Sequence, residues 1–255
     1  MGVNYYVYLI DLKDVGVEFP IYDAKSRSFK SQVANLTRGV ISSKKESSTV
    51  TVKSLDGLTF SLKEGDKLGL IGNNGAGKST LLKLLAGIYE PTSGTIERKG
   101  KIVPLLDIAL GMDDDSTGYQ NIKLCGLLLG MTNAEIKSKI EEIACFTELG
   151  DYLNLPIRVY STGMRVRLAF AVSTSVDPDV LLLDEIIGTG DASFLNKAKK
   201  RFEELQERAK VVVLSSHDNN VILKTCNKVL WLEGGKPKMI GDPEEVLNKY
   251  MDSVI

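Results

Sequence analysis

EGDKLGLIGNNGAGKSTLLKLLAG, residues 64–87, is a strand, a glycine-rich loop and a helix in immediate succession. The apolar strand Leu68 to Ile71 runs into Gly72, Asn73, Asn74, Gly75, Ala76, Gly77, Lys78, Ser79 and Thr80. The apolar run Leu81, Leu82, Leu84 and Leu85 follows. Glycines permit positive φ and close backbone approach, so several N–H groups can converge on one anion, helped by the N-terminus of the helix. Lys78 would reach the β- and γ-phosphates of a nucleotide, and the Ser79 hydroxyl would sit on Mg2+. An ordinary glycine-rich turn before a helix has no need of Lys and Ser directly after its last glycine, so the spacing favours a phosphate cradle.

Around this loop the composition is that of an ordinary globular chain. At 255 residues and 43% hydrophobic content it can bury a core, as one large domain or one domain with a smaller lobe. The net charge of −1 gives no basic field for nucleic acid, and none is expected as a partner. Cys125, Cys145 and Cys226 are scattered, without the paired spacing of a zinc site or a disulfide framework, so reduced thiols are expected. The start, MGVNYYVYLIDLKD, lacks the basic and apolar regions of a signal peptide. Apolar runs such as Leu127 to Leu129 fall far short of the ~20 residues that span a bilayer. Work at a membrane would therefore need a second, spanning chain.

Residues 5 to 19 read as a strand closed by Phe19 and Tyr22. The segment 22–49 is basic, with Lys25, Arg27, Lys30, Arg38, Lys44 and Lys45 against Asp23 and Glu46. Phe29, Val33, Leu36 and Val40 recur in it at helical spacing, which fits either a short docking helix or a solvated insertion. Val50 to Leu62 reads as a second strand, Pro91 to Gly94 as a turn, and Thr95 to Leu106 as a hairpin. Residues 113–176 are mainly helical, with Ile136, Ile140, Ile143 and Ala144 on one face and Met164, Leu168, Ala171 and Val172 on another. Strands recur at Val180 to Leu183, Val211 to Leu214 and Val229 to Leu232. Phe194, Ala198, Phe202 and Leu205 share a helix face between the first two. This alternation predicts an α/β fold around a mainly parallel sheet.

Three further stretches carry chemistry. The strand from Val180 ends in Asp184 and Glu185, at the sheet edge where ligands bind. Asp184 would hold Mg2+, and Glu185 is placed to act as general base on the attacking water. His217, the single histidine, follows the strand Val211 to Leu214 onto the same rim, in reach of a γ-phosphate. In Tyr160-Ser161-Thr162-Gly163-Met164-Arg165, Ser161 can cap a helix whose N-terminus Gly163 leaves open to an anion.

Together these pieces resemble the nucleotide-binding subunit of an ATP-binding-cassette (ABC) transporter, over roughly residues 5–250. Gly72 to Thr80 match the Walker A loop, Val180 to Asp184 Walker B, and Glu185 the catalytic glutamate. Ser161-Thr162-Gly163 is similar to the signature motif, Gly190-Asp191-Ala192 to the D-loop, and His217 to the switch histidine. The resemblance implies a P-loop NTPase core with a mixed, largely parallel sheet, an antiparallel β edge and a helical subdomain at about 113–176. It makes 1–255 a single nucleotide-binding domain with 22–49 as an insertion. It also implies ATP and Mg2+ as ligands. Two copies would pair head to tail, each ATP lying between one copy's Walker A and the other's Ser161 and Gly163. Either Phe19 or Tyr22 fits the aromatic that stacks on adenine, and Asp191 would lie near the nucleotide.

The chain departs from the family in two places. The usual LSGGQ reads YSTGM at 160–164, and Asp107, within Leu105-Leu106-Asp107-Ile108, stands where the Q-loop glutamine is expected and could hold a metal-bound water. The tyrosine-led, methionine-ended signature, the insertion at 22–49 and the phrase STGYQNIKLCGLLLGMTNAEI resemble subunits that export cell-surface polysaccharides, the O-antigen (Wzt-type) and teichoic-acid branch. That implies an ATPase on the cytoplasmic face of the inner membrane, bound to a separate permease, with a lipid-linked polysaccharide as cargo. No carbohydrate-binding domain is expected after the helix Pro243 to Met251. A teichoic-acid, capsule or lipid exporter is the alternative. A soluble ABC ATPase of ribosomes or DNA usually has two cassettes in one chain or an inserted coiled coil, and this chain has neither. A nucleotide-binding module without turnover would not need Glu185 and His217.

Overall fold

The computed structural model describes residues 8–21, 41–43, 50–106, 111–184 and 192–254. They fall into two compact units, one of the described residues up to Gly100 with 182–184 and 211–254, the other of those within 101–181 and 192–210.

Two sheets build the first unit. In the smaller, β1 (Tyr8–Ile21) lies antiparallel between β3 (Val50–Lys63) and β5 (Ser93–Arg98), and β2 (Ile41–Ser43) flanks β3. Ile10, Leu12, Val15 and Val17 of β1 and Leu55, Leu58 and Leu62 of β3 are fully or almost fully buried. Of the second, six-stranded sheet this unit holds, in the order β10-β9-β4-β8-β7, β10 (Lys236–Gly241), β9 (Lys228–Glu233), β4 (Lys67–Ile71), β8 (Val211–Ser215) and the end of β7 (Val180–Asp184). β4 is parallel to β8 and to β9, and β10 returns antiparallel to β9. Strands of a parallel sheet are covered on both faces, which is why VVVLS of β8 is buried at every position.

Three helices belong to this sheet: α1 (Lys78–Leu85) after β4, α6 (Asn219–Thr225) after β8, and α7 (Pro243–Val254). α1 buries Leu81, Leu82, Leu84 and Leu85, the run that marked it in the sequence. Gly69 allows α6 to pack closely, since a Cβ there would stand 2.9 Å from Ile222 Cγ2.

The second unit holds β6 (Ile102–Leu105), α2 (Gly118–Leu128), α3 (Asn133–Thr147), α4 (Thr162–Ser173) and α5 (Ala192–Arg208). Single-turn helices at Gly150–Asn154 and Ile157–Val159 lead into α4. Capping boxes set two of the starts, Thr117 with Gln120 for α2 and Thr132 with Glu135 for α3. The core joins Ile143, Leu168, Ala171 and Val172 to the ring group Phe146, Phe170 and Phe194, with Ile140, Met164, Ala198 and Phe202 packed against it. No described helix is long and apolar enough to cross a membrane.

The expected hairpin over Thr95 to Leu106 does not form. β5 pairs with β1, whereas β6 belongs to the second unit, where the Lys101 carbonyl accepts from the Asp179 and Val180 amides. Alternation marks a strand but says nothing of its partner, and β1 is long enough to pair on both edges. The basic insertion over 22–49, expected as a docking helix or a solvated segment, lies outside the described residues except for Ile41–Ser43, which form β2.

Candidate functional site

The first unit carries a cleft of about 350 Å3 lined by Asn74, Gly75, Ala76, Gly77, Lys78, Ser79, Thr80, Asp184, Ser215 and His217. Its floor is the loop between β4 and α1. Gly72, Gly75 and Gly77 have φ of 140°, 81° and 105°, a region costly for other residues. At Gly72 a Cβ would meet the Leu232 carbonyl oxygen at 2.2 Å, and at Gly77 the Ser54 carbonyl oxygen at 2.8 Å. The loop is thus held against β9 on one side and β3 on the other.

Lys78 is 8% exposed, and its ammonium donates to the carbonyls of Gly72 (2.6 Å) and Asn73 (3.3 Å). The loop closes on itself through the Ala76 amide and the Asn73 carbonyl at 3.0 Å. α1 starts without a side-chain cap and without an acidic residue in its first turn. Its first N–H groups and its dipole therefore favour an anion. The Ser79 hydroxyl donates to Asp184 Oδ2 at 2.9 Å, two oxygen groups of the hard type that suits Mg2+. His217 is exposed at the same cleft, just beyond the buried Ser215 and Ser216.

Four neighbours of the loop escaped the sequence reading. Ser54 Oγ and Thr80 Oγ1 share a hydrogen bond of 2.7 Å. The Gly235 amide donates to the Ala76 carbonyl, and the Gly235 carbonyl accepts from the Asp56 amide. Asp56 is held below the usual carboxylate range by its hydrogen bond from Lys53. Tyr250 of α7 donates its hydroxyl to Asn73 Oδ1 at 3.1 Å. Gly234-Gly235 between two strands is a legible turn signal. Nothing local tells that this turn meets the phosphate loop.

Ser161, Thr162 and Gly163 stand in the second unit, all exposed at the start of α4, where Ser161 Oγ accepts from the Met164 amide at 3.2 Å. The two outer departures from the family's signature have physical reasons here. Tyr160 is buried, its hydroxyl donates to the Tyr152 carbonyl at 2.6 Å, and burial pushes its pKa up. Met164 packs against the hydrophobic cluster. Within α4, Arg165 pairs with Asp114 at 2.6 Å, and ahead of it Arg158 pairs with Asp115. Phe19 does not line the cleft, and its ring lies edge-on to Tyr89 at 5.1 Å. Tyr22, Asp107, Glu185 and Asp191 lie outside the described residues.

A parallel sheet, a glycine loop closing on a buried lysine and a Ser79–Asp184 pair at the mouth of one cleft define a P-loop NTPase. Residues 55–188 match the ABC transporter family, and the chain belongs to it, as an ATP-hydrolysing subunit. It is 47% identical over 223 residues to the O-antigen export system ATP-binding protein RfbE of Yersinia enterocolitica, covering 88% of this chain and 93% of that one. It is 40% identical over 247 residues to the O-antigen export system ATP-binding protein RfbB of Myxococcus xanthus, covering 96% of this chain but 56% of that relative's length. The fold is similar to a solved ATP-binding subunit of an ABC transporter, with a TM-score of 0.69 at 20% identity over 95% of this chain and 93% of that one.

Proposed function

We propose that the chain is the ATPase subunit of an exporter that moves a lipid-linked, O-antigen-like polysaccharide across the cytoplasmic membrane. The observation that carries the cargo is the 47% identity to the Yersinia protein named for O-antigen export, over 93% of that protein. In this reading two copies pair head to tail on the cytoplasmic face of the membrane, bound to a separate spanning permease. Each nucleotide lies between one copy's phosphate loop and the other's Ser161 and Gly163, which are exposed in the single chain.

Lys78 turns from the Gly72 and Asn73 carbonyls toward the β- and γ-phosphoryl oxygens, exchanging neutral acceptors for charged ones. Ser79 and Asp184, already 2.9 Å apart, would hold Mg2+, and Asp107 would add a further oxygen group through water. Mg2+, when bound, neutralises charge on the phosphoryl oxygens. Glu185 takes the proton of the attacking water, and His217 contacts the γ-phosphoryl group. Phe19 or Tyr22 stacks on adenine, and Asp191 lies at the interface of the two copies.

Affinity purification of the tagged chain from detergent-solubilised membranes tests this reading. The expected result is co-purification of one polytopic membrane protein, with loss of surface polysaccharide in cells carrying Lys78→Ala. Recovery from the soluble fraction alone, with ribosomal or DNA-binding proteins, would leave the ATPase and remove the exporter. A teichoic acid or capsule lost in place of the O-antigen would change the cargo.

A further inference from the structure

Asn73 stands at a crossing point of the phosphate loop. Its carbonyl accepts from the Ala76 amide at 3.0 Å and from the Lys78 ammonium at 3.3 Å, while its side-chain oxygen accepts from the Tyr250 hydroxyl at 3.1 Å. Tyr250 belongs to α7, 177 residues further along the chain, and is half-buried. Its ring packs edge-on against Trp231, with centroids 5.5 Å apart at 73°. Trp231 precedes Leu232, whose carbonyl oxygen lies where a Cβ on Gly72 would fall. β9 therefore touches the loop directly at Gly72 and, through Trp231 and Tyr250, indirectly at Asn73.

We infer that Tyr250 is a positioning residue for nucleotide binding, fixing the second residue of the phosphate loop through the Asn73 side chain. Lys78 must leave two loop carbonyls to bind phosphoryl groups, and one of these is the carbonyl of Asn73. A residue that loses that partner keeps its place only if something else holds it. A hydroxyl anchored on an aromatic pair supplies that hold without adding charge beside the phosphates. The inference rests on assigning this loop to nucleotide.

The test is the affinity of the full chain for a fluorescent ATP analogue with Mg2+, together with its melting temperature without nucleotide. Tyr250→Phe keeps the ring against Trp231 and removes only the hydroxyl. Its dissociation constant should rise about 3- to 10-fold, because the bond matters most once Lys78 has left the Asn73 carbonyl, while the nucleotide-free melting temperature should fall only slightly, since Lys78 still holds that carbonyl there. Asn73→Ala should weaken binding at least as much, and adding Tyr250→Phe to it should change nothing further, because the pair acts as one. Wild-type affinity in Tyr250→Phe, or independent multiplication of the two effects, would overturn the inference. Lys78→Ala separates the two levels: its undiminished binding would overturn the nucleotide assignment itself, and the role of Tyr250 with it.

Discussion

The Ser79 hydroxyl donates to Asp184 Oδ2 at 2.9 Å, joining the first turn of α1 to the end of β7 across 105 residues. In the proposed reading, a serine and a carboxylate that meet at the mouth of the phosphate loop would supply oxygen ligands to Mg2+. Replacing Asp184 by Asn, or Ser79 by Ala, should raise the Mg2+ concentration for half-maximal ATP hydrolysis at least about 10-fold, the low end of losses seen around metal ligands. A magnesium titration of ATPase activity checks this, and an unchanged midpoint in both variants would remove the pair from the metal site.

Glu185 directly follows Asp184 and is the general base of the proposed mechanism. Glu185→Gln should lower turnover by roughly 100-fold or more while ATP binding persists, because proton acceptance is lost and the phosphate loop is untouched. Phosphate release and gel filtration with ATP read the two parts, the second through an accumulated dimer. Wild-type turnover in this variant would reassign the base.

Gly77 has a φ of 105°, with the Ser54 carbonyl oxygen and Leu55 Cδ2 within 2.9 Å of the place a Cβ would take. Gly77→Ala should destabilise the chain by about 1–3 kcal/mol and abolish nucleotide binding, since the loop must shift away from β3. Chemical unfolding and nucleotide titration check the two effects. A variant with wild-type affinity would show that the loop geometry is not needed.

Asn121 is fully buried at the start of α2. Its amide group donates to the carbonyls of Asp113, Ser116 and Thr117 and accepts from the Asp113 amide. Asn121→Ala takes the side-chain acceptor from the Asp113 amide and one of two donors from each of the three carbonyls, which keep a backbone donor, and should cost about 1–3 kcal/mol. It should also loosen the 113–117 loop that holds Arg158 and Arg165 ahead of and within α4. Hydrogen exchange at residues 157–165 tests the second part, and unchanged protection would sever the link.

The three thiols should separate by reactivity. Cys145 is exposed, whereas burial raises the pKa of Cys125 and pushes that of Cys226 up to about 12. At pH 8 one thiol per native chain should react rapidly with an aromatic disulfide reagent and all three after unfolding, because the thiolate is the reactive form. The sign for stability follows. Cys226 is protonated in the fold when its unfolded counterpart is ionised, so stability should fall as pH rises from about 9 toward about 12. Rapid native reaction of all three would contradict the burial.

The phosphate loop was legible in the sequence because its chemistry is local. Gly72, Gly75, Gly77, Lys78 and Ser79 lie within eight consecutive positions, and their types at that spacing have one common use. The helix faces were legible for the same reason, since a period of 3.6 residues is written along the chain. Pairing was not. Thr95 to Leu106 alternates as a hairpin should, yet β5 bonds to β1 from the other end of the unit. The signature's tyrosine could be read as a departure, but its buried hydroxyl partner at Tyr152 could not.

The amino-acid order alone pointed to a P-loop NTPase, to the residues proposed to bind phosphate and to the family resemblance, because strand–loop–helix geometry over some twenty residues needs no distant partner. Which residues brace that loop was a matter for the fold. Ser54, Gly235 and Tyr250 reach it from three separate segments, and the hydrogen bond of Ser79 to Asp184, a residue already expected at the site, closes only in the fold. Hydrogen bonds between atoms 26 to 177 residues apart exist only once the separate segments have come together in the fold, and no local pattern encodes them.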